Sequence, residues 1–381
     1  MIKDKSNLPF KVGLENIESF SGLYVPTESI YEGDGVNAKE GDIVYGKLRP
    51  YLAKVWIADR PCNAVGDFFV YRCNKDLLLN HFAKWLMLSD GFTQICSAST
   101  YGAKMPRVSS DFIASLYLPL PPLSEQEQIV RYLEDKTSKI DAYVSEKEKE
   151  ILLLQELKQK TIADAVTKGL NPDVKMKDSG ISWIGEIPEH WEVKKIGTLF
   201  VERKEKVSDK EYPALSVSKQ GVTPQLENAV KTDNGDNRKK VCTNDFVVNS
   251  RSDRKGSCGV SPYTGSVSLI NIVLSPRENI VVQYFHHLFR SNNYIEEYYR
   301  IGRGIVADLW TTRYSEMRNI SVPRPPLDEQ RAIVSYIEEK CQKIDSLTTE
   351  LQSEIDYLKE YKQRLIADCV TGQVNVQKEV T

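Results

Sequence analysis

The feature that most constrains this chain is an internal repeat. Residues 121–167 align without a gap against residues 325–371, at an offset of 204 positions. The identities at the start of the two copies are Pro121, Pro122, Leu123, Glu125 and Gln126 with Pro325, Pro326, Leu327, Glu329 and Gln330. Self-similarity of this length indicates a duplicated structural unit.

Each copy is predicted to be one long helix with a coiled-coil seam. After the opening prolines, more than forty residues follow without Pro or Gly, rich in Glu, Lys, Leu and Gln. Apolar residues recur every seven positions, as in a coiled coil, although Lys147 interrupts the first copy. The seam residues, assigned to partner docking or to a helix pair, are Leu133, Ile140, Leu154, Ile337, Ile344, Leu351, Leu358 and Leu365.

Two arrangements can satisfy these seams. One is a dimeric coiled coil between chains, and the other is an antiparallel pair within one chain, related by a pseudo-twofold axis. The roughly 150 residues between the copies favour the second, because a simple rod does not need them. A helix of about 45 residues spans about 65 Å, which is enough to separate two domains by more than one turn of DNA.

The segments before each helix have the texture of mixed α/β domains. Apolar runs between Gly and Asn turns predict strands, and helical patterns occur near 77–88 and 281–299. The predicted strands include Asp42–Val44, Phe68–Tyr71, Phe246–Val248 and Val267–Leu274. We therefore predict an α+β chain with domains at 1–120 and 171–322, helices at 121–170 and 323–372, and a tail at 373–381.

Charge is unevenly distributed along the chain. The total is −2, but residues 1–122, 123–170, 171–326 and 327–381 carry 0, −2, +4 and −4. Positive charge collects in a globular segment and negative charge in the helices, as expected if the globular parts face a polyanion.

Basic residues in the globular segments alternate with aromatic and turn residues. Arg can donate two hydrogen bonds to guanine, and Lys or Ser can hold phosphates. The candidate DNA-binding residues are Lys47, Arg49, Tyr51, Tyr101, Lys104, Arg107, Lys219, Arg251, Arg254, Lys255, Tyr263, Arg303, Trp310 and Arg313.

These motifs resemble a known family. PPLSEQEQIV at 121 and PPLDEQRAIV at 325, with helices ending in KQKTIADAVTKG and KQRLIADCVTGQ, are similar to the conserved regions of type I restriction enzyme specificity subunits. Residues 182–200, SWIGEIPEHWEVKKIGTLF, resemble the beginning of a target recognition domain in that family. Residues 41–55, GDIVYGKLRPYLAKV, resemble the sequence of the first such domain.

The resemblance implies a non-catalytic, cytoplasmic protein that reads a split site in double-stranded DNA. Two modification subunits would dock on the helices and methylate adenine with S-adenosylmethionine, and restriction subunits would cleave DNA with ATP and Mg. By the repeat offset, the counterpart of Trp183 would precede Met1. The first domain is therefore expected to be shortened at its N-terminus.

Other functions lack sequence support. The chain contains neither a P-loop nor the Asn-Pro-Pro-aromatic motif of an adenine methylase, and its four histidines and seven cysteines lack metal-ligand spacing. No run of eighteen apolar residues is present. A helical scaffold that assembles proteins without binding DNA remains the alternative interpretation, and a self-sufficient nuclease or methylase is the third.

Overall fold

The chain divides into two compact units. The computed structural model describes residues 1–2, 8–225, 235–277, 279–302 and 311–376. The first unit combines Met1–Lys149 with Leu351–Thr381, and the second is Glu150–Glu350. Each unit therefore contains one mixed α/β domain and part of each long helix, in agreement with the predicted α+β class.

The two predicted long helices are Leu123–Lys168 and Leu327–Val370. Glycines in the left-handed region follow both helices: Gly169, with φ +75°, comes directly after the first, and Gly372, with φ +76°, comes two residues after the second. The amide of Gly169 donates to the carbonyl of Ala165 at 3.2 Å, which closes the last turn. Glycine adopts this conformation without the penalty of a Cβ atom, so it stops a helix efficiently.

Within each unit, the helical segments are antiparallel. In the first unit, Lys362 pairs with Asp141 at 2.6 Å and Lys359 with Glu148 at 3.0 Å. In the second unit, Lys158 pairs with Asp345 at 2.6 Å. Positions late in one helix therefore lie beside positions early in the other. This confirms the antiparallel coiled-coil arrangement.

The predicted seam residues lie inside this helix pair. Lys147, which interrupts the seam, bonds to Glu354 at 3.2 Å and lies 5.3 Å from the centre of the Tyr143 ring. The seam side chains are buried or half-buried. The buried ones are Leu133, Ile337, Leu351 and Leu365, and the half-buried ones are Ile140, Leu154, Ile344 and Leu358.

The domain of the first unit contains two three-stranded sheets. Its strands are Lys11–Val12, Gly35–Ala38, Ile43–Gly46, Val55–Ile57, Cys62–Val65 and Phe68–Tyr71. Its helices are Leu14–Asn16, Pro50–Leu52, Asn80–Leu88, Asp90–Ala98 and Ser110–Ser115. Strand Ile43–Gly46 is central, antiparallel to Val55–Ile57 and to Phe68–Tyr71.

The domain of the second unit is built around a four-stranded antiparallel sheet. Its strands are Met176–Asp178, Glu186–Pro188, Glu192–Lys195, Phe200–Glu202, Lys206–Val207, Leu215–Ser218, Gly221–Pro224, Arg238–Val241, Phe246–Asn249, Cys258–Val260, Gly265–Val267, Asn271–Pro276 and Ser321–Arg324. Its helices are Ile196–Leu199, Ser252–Arg254, Val282–Phe289, Asn292–Arg300 and Tyr314–Met317.

Two predicted elements are divided in the structure. The strand predicted at Val267–Leu274 is two strands, because residues 268–270 form a turn in which the Asn271 amide donates to the Ser268 carbonyl at 3.0 Å. The helical pattern at 281–299 is two helices, because Ser291 has extended backbone angles of φ −68° and ψ 144°. The strand at Phe68–Tyr71 has the predicted bounds.

Each domain packs against the start of one long helix and the end of the other. In the first unit, Leu133 and Ile366 lie in the same apolar core as Phe82 of helix Asn80–Leu88. In the second unit, Val166 and Ile337 lie in the same core as Phe285. Burying these side chains together removes apolar surface from water, and this stabilises each domain on its helices.

The repeated Gln joins each domain to its helix. Gln126 is fully buried, donates to the carbonyls of Leu77 at 2.9 Å and Pro121 at 2.8 Å, and accepts from the amide of Leu79 at 2.8 Å. Gln330 in the second unit donates to the Pro325 carbonyl at 2.8 Å and accepts from the Val281 amide at 2.9 Å. The Gln of the repeated motif is thus a structural residue.

Candidate nucleic-acid interface

The two basic clusters predicted in the first unit lie together. The amide of Arg49 donates to the Pro106 carbonyl at 2.8 Å, and the amide of Val108 donates to the Lys47 carbonyl at 3.1 Å. Tyr101 and Arg107 exchange two backbone hydrogen bonds of 3.0 Å. The loop that follows strand Ile43–Gly46 and the loop at 101–107 therefore form one surface.

The carboxylate of Asp67 binds two basic side chains of this surface. Its carboxylate accepts from Arg107 Nε at 2.9 Å and Nη2 at 2.8 Å, and Lys47 Nζ lies 3.7 Å away. These hydrogen bonds from Arg107, followed by the positive charges of Arg107 and Lys47, lower the pKa of Asp67. Both Arg107 and Lys47 are therefore already paired with an acid.

The other residues of the cluster face outward. Arg49 is exposed and its backbone is left-handed, with φ +50°, at the start of the short helix Pro50–Leu52. Tyr51, Tyr101 and Lys104 are exposed as well. A guanidinium and an ammonium beside two aromatic rings suit contacts with both phosphates and bases.

In the second unit, three of the predicted residues line one cleft of about 580 Å³. Lys219 comes from the turn between strands Leu215–Ser218 and Gly221–Pro224, and Arg251 and Arg254 come from the segment after strand Phe246–Asn249. The polar side chains of Ser216, Ser218, Asn249 and Ser268 also line the cleft. The cleft thus combines cations with neutral groups that can both donate and accept hydrogen bonds.

An acid separates the two arginines of this cleft. Asp253 accepts from Arg251 Nε at 2.9 Å and lies 3.6 Å from Arg254 Nε. The Arg251 carbonyl accepts from the Tyr299 hydroxyl at 3.3 Å, which anchors the segment to helix Asn292–Arg300. Both arginine side chains remain about half exposed, so their outer edges can reach a ligand.

Arg290, which sequence reasoning missed, fixes the Lys219 turn. Its two Nη atoms donate to the carbonyls of Lys219 and Cys258, each at 2.5 Å. Arg238 is another missed residue that lines the cleft, and its Nε donates to Ser266 Oγ at 2.9 Å. Desolvation by burial lowers the pKa of Arg238. Arg290 therefore fixes the turn that carries Lys219, and Arg238 forms part of the cleft lining.

Three of the other predicted residues lie apart from the cleft lining. Lys255 pairs with Glu296 at 2.5 Å and lies 5.7 Å from the centre of the Tyr299 ring. Tyr263 is exposed in the turn after strand Cys258–Val260, and Arg313 is exposed just before helix Tyr314–Met317. Arg303 and Trp310 lie outside the described residues.

Equivalent backbone contacts support the basic clusters of the two units. Leu48 bridges to Arg107 in the first unit, and Arg251 bridges to Thr311 in the second. The Val108 amide donates to the Lys47 carbonyl at 3.1 Å, and at the equivalent place the Thr312 amide donates to the Ser250 carbonyl at 3.2 Å. Equivalent main-chain scaffolds therefore carry different side chains.

The histidines and acids among the described residues do not form a metal site. Within the described ranges, no group of three or more His, Cys, Asp or Glu side chains could hold a metal ion. His286 Nδ1 accepts from the Val260 amide at 3.2 Å, which gives this histidine a structural role. None of the described helices is both long enough and apolar enough to span a bilayer.

Comparison with known proteins finds similarity to one family. A model of the type I restriction modification DNA specificity domain matches residues 22–153. The type I restriction enzyme MjaVIII specificity subunit of Methanocaldococcus jannaschii is 26% identical over 374 residues, which is 90% of this chain and 78% of that protein. The chain is thus similar to type I restriction enzyme specificity subunits over most of its length.

Other specificity subunits are matched over shorter stretches. The EcoDI subunit of Escherichia coli is 30% identical over 156 residues, or 39% of this chain, and the MjaX subunit of Methanocaldococcus jannaschii is 27% identical over 276 residues, or 69%. The chain covers 34% and 60% of the lengths of these two relatives.

Two solved structures share the fold of this chain. One comes from a study of complex assembly and conformational transition of the type I restriction-modification system, with a TM-score of 0.72, 19% identity, and coverage of 94% of this chain and 90% of that one. The HsdS subunit from Thermoanaerobacter tengcongensis has a TM-score of 0.54, 19% identity, and coverage of 96% and 90%.

Proposed function

We propose that this chain is a type I restriction-modification specificity subunit that reads a split site in double-stranded DNA, one half-site with the loops of each unit. The observation that carries the proposal is the set of equivalent backbone contacts in the two units. These contacts support Lys47 and Arg49 in the first unit and Arg251 and Arg254 in the second. Equivalent scaffolds with different side chains suit two different base sequences. A well-formed contact between Arg and guanine discriminates by about 1–3 kcal/mol.

We also propose that the long helices dock two modification subunits, and that restriction subunits join the complex. The duplicated helix supports this, because two equivalent surfaces bind two copies of one partner. S-adenosylmethionine would be bound by the modification subunits, and ATP and Mg by the restriction subunits. This chain would contribute recognition and no catalytic group.

The test is genome-wide mapping of adenine methylation in cells that express this chain with its modification subunit. The expected result is methylation at one motif made of two defined half-sites and a spacer of fixed length. Cells that express the modification subunit alone are the control. Absence of methylation from a chain that is intact and bound to its partner would overturn the proposal.

A binding assay separates DNA reading from a purely protein-binding scaffold. The purified chain should bind duplex DNA with an affinity that falls steeply with salt, because phosphate contacts release counterions. Affinity for a duplex with the mapped motif should exceed that for a scrambled duplex. Equal and weak binding to both would favour the scaffold.

A further inference from the structure

The cleft of the second unit has buried residues at its floor and exposed cations at its rim. Arg238 and Asn271 line the cleft and are only 5% and 6% exposed, and we call them the floor. Lys219, Arg251 and Arg254 line it as well and are exposed, and we call them the rim. Its volume of about 580 Å³ falls within the range of about 300–1,000 Å³ that is usual for small-molecule sites. The cleft is therefore large enough to take a ligand group below the rim.

The base edges of a fully paired duplex do not reach such a floor. They lie inside the grooves of the DNA, and a protein reads them with side chains that protrude into those grooves. Arg238 and Asn271 are instead recessed beneath exposed neighbours. A nucleotide that has turned out of the base stack can enter a recess, and enzymes that act on bases bind it in this way. The recess therefore favours an unstacked nucleotide over a paired one.

The polar groups of the floor require a ligand that both donates and accepts hydrogen bonds. Asn271 Oδ1 is buried and has no hydrogen-bond partner among the described residues, while Nδ2 donates to the Ser268 carbonyl at 3.1 Å. A carbonyl oxygen only accepts, so it needs a donor from the ligand. The guanidinium of Arg238 only donates, and two of its nitrogens bond to Ser266 at 2.9 and 3.1 Å. The edge of a nucleobase carries donors and acceptors side by side.

The walls between floor and rim combine apolar and polar side chains. Leu215, Val217 and Ile270 line the cleft, and Ile270 is 39% exposed. Ser216 and Asn249 lie among them and are half-buried. Apolar side chains suit the flat faces of a base, which proteins hold by stacking, while hydroxyl and amide groups suit its edges.

The rim supplies positive charge for a phosphate. Arg290 fixes the backbone at Lys219 through the 2.5 Å bond to its carbonyl. Asp253 accepts from Arg251 Nε at 2.9 Å and lies 3.6 Å from Arg254 Nε, so this acid offsets part of the arginine charge. Three cations against one acid leave the rim positive, and Lys and Arg are the usual partners of phosphate oxygens.

We propose that this cleft binds one nucleotide, with the base between the apolar walls and above the polar floor, and the phosphate at the basic rim. The inference rests on the proposed function, because the nucleotide is taken from the half-site that the second unit reads. A free nucleoside monophosphate has the same chemistry, so the experiments below separate these two sources.

The first test uses 2-aminopurine, whose fluorescence rises when it leaves the base stack. The purified full chain is mixed with a duplex of the mapped motif that carries 2-aminopurine at, or directly beside, each position of both half-sites in turn. Fluorescence should rise several-fold at one position of the half-site read by the second unit. Using this chain alone excludes unstacking by the modification subunit.

A mismatch provides a second measurement on the same duplex. Changing only the base opposite the unstacked position should strengthen binding about tenfold, because a mismatch lowers the cost of unpairing. Mismatches at the other positions should not strengthen binding. Equal or weaker binding of every mismatched duplex would contradict the unstacking of a base.

A variant that fills the cleft assigns the signal to it. Ser216→Trp places a large ring among the walls and keeps the rim cations, so it should abolish the fluorescence rise and the preference for the mismatch. Salt-dependent binding to unrelated duplex should stay. Gln220→Trp is the matched control, because Gln220 is exposed in the turn of the same hairpin and does not line the cleft. If Ser216→Trp does not fold, the two measurements on the wild type decide.

Titration calorimetry with each of the four deoxynucleoside monophosphates tests the other source. Binding of one of them that Ser216→Trp removes, without a 2-aminopurine signal, would assign the cleft to a free nucleotide. No fluorescence rise and no binding of any monophosphate would overturn the proposal. DNA reading stands in that case if the mapped motif is still preferred over a scrambled duplex. Without that preference the proposed function fails, and the titration alone decides whether the cleft binds a nucleotide.

Discussion

Arg107 and Asp67 are joined by two parallel hydrogen bonds, of 2.9 Å from Nε and 2.8 Å from Nη2. The pair ties the loop at 101–107 to the turn before strand Phe68–Tyr71. Since the guanidinium is already engaged, Arg107 positions the surface, while Arg49 and Lys104 remain exposed.

Asp67→Asn should destabilise the protein at neutral pH. The folded pKa of Asp67 is lowered, so its stabilising effect is present above the unfolded pKa and is lost as pH falls through the folded value. We expect a loss of about 1 kcal/mol at pH 7, because the pair is partly exposed. Urea unfolding at pH 7 and at pH 3 measures it. The difference should shrink at pH 3, and exposed Asp76→Asn should change neither value.

Arg251→Ala and Arg254→Ala should each weaken recognition of one half-site. Loss of a base contact costs about 1–3 kcal/mol, and sequences altered in the other half-site should keep their ranking. Fluorescence anisotropy with duplexes mutated at single positions provides the measurement. Uniform weakening, with the salt slope reduced by about 1, would instead mark phosphate contacts. Arg331→Ala on the second long helix is the control.

Gln126→Leu and Gln330→Leu should each cost about 1–3 kcal/mol of unfolding free energy. Each substitution leaves buried backbone groups without their hydrogen-bond partner. Chemical denaturation of the whole chain detects the loss. Gln128→Leu, two residues along the first helix and exposed, should be close to neutral. Wild-type stability in the Gln126 variant would show that packing alone holds the joint.

Mild acid should destabilise the second unit through His286 and His287. Burial, followed by the charge of Arg290, lowers their pKa values to about 3 and about 4. Between pH 6.5 and pH 4 the unfolded chain takes up protons that the folded chain does not, so stability falls as pH falls. The urea midpoint at pH 7.5 and at pH 5 should differ less in His287→Gln than in wild type. The control is Gln283→Ala, at an exposed position of the same helix. It should keep the full wild-type difference between the two urea midpoints.

The repeat predicted the two long helices because their periodicity is local and strong. The strand predicted at Val267–Leu274 was wrong in extent, since its apolar run contains neither Gly nor Pro to mark the turn. That turn depends on Asn271, whose side chain also donates to the Ser268 carbonyl, at 3.1 Å. Such side-chain bonding to nearby backbone is not visible in an apolar pattern.

The sequence predicted the basic residues of the candidate site but not the residues that pair with them. Lys47 and Arg107 stand out as basic residues beside aromatics, but Asp67 is 40 positions from Arg107 and carries no local pattern. Arg290 lies 71 positions from the Lys219 turn that it holds. Pairings across such distances depend on how the sheets fold, which spacing alone does not fix.

The joint formed by Gln126 has a consequence for how this protein can change. Its three hydrogen bonds all go to main-chain atoms, of Leu77, Leu79 and Pro121. Every amino acid supplies a carbonyl and nearly every one an amide, so the joint tolerates other side chains in the domain it holds. An exchanged domain that keeps this turn would keep its hydrogen bonds to the helix, whatever side chains the turn carries.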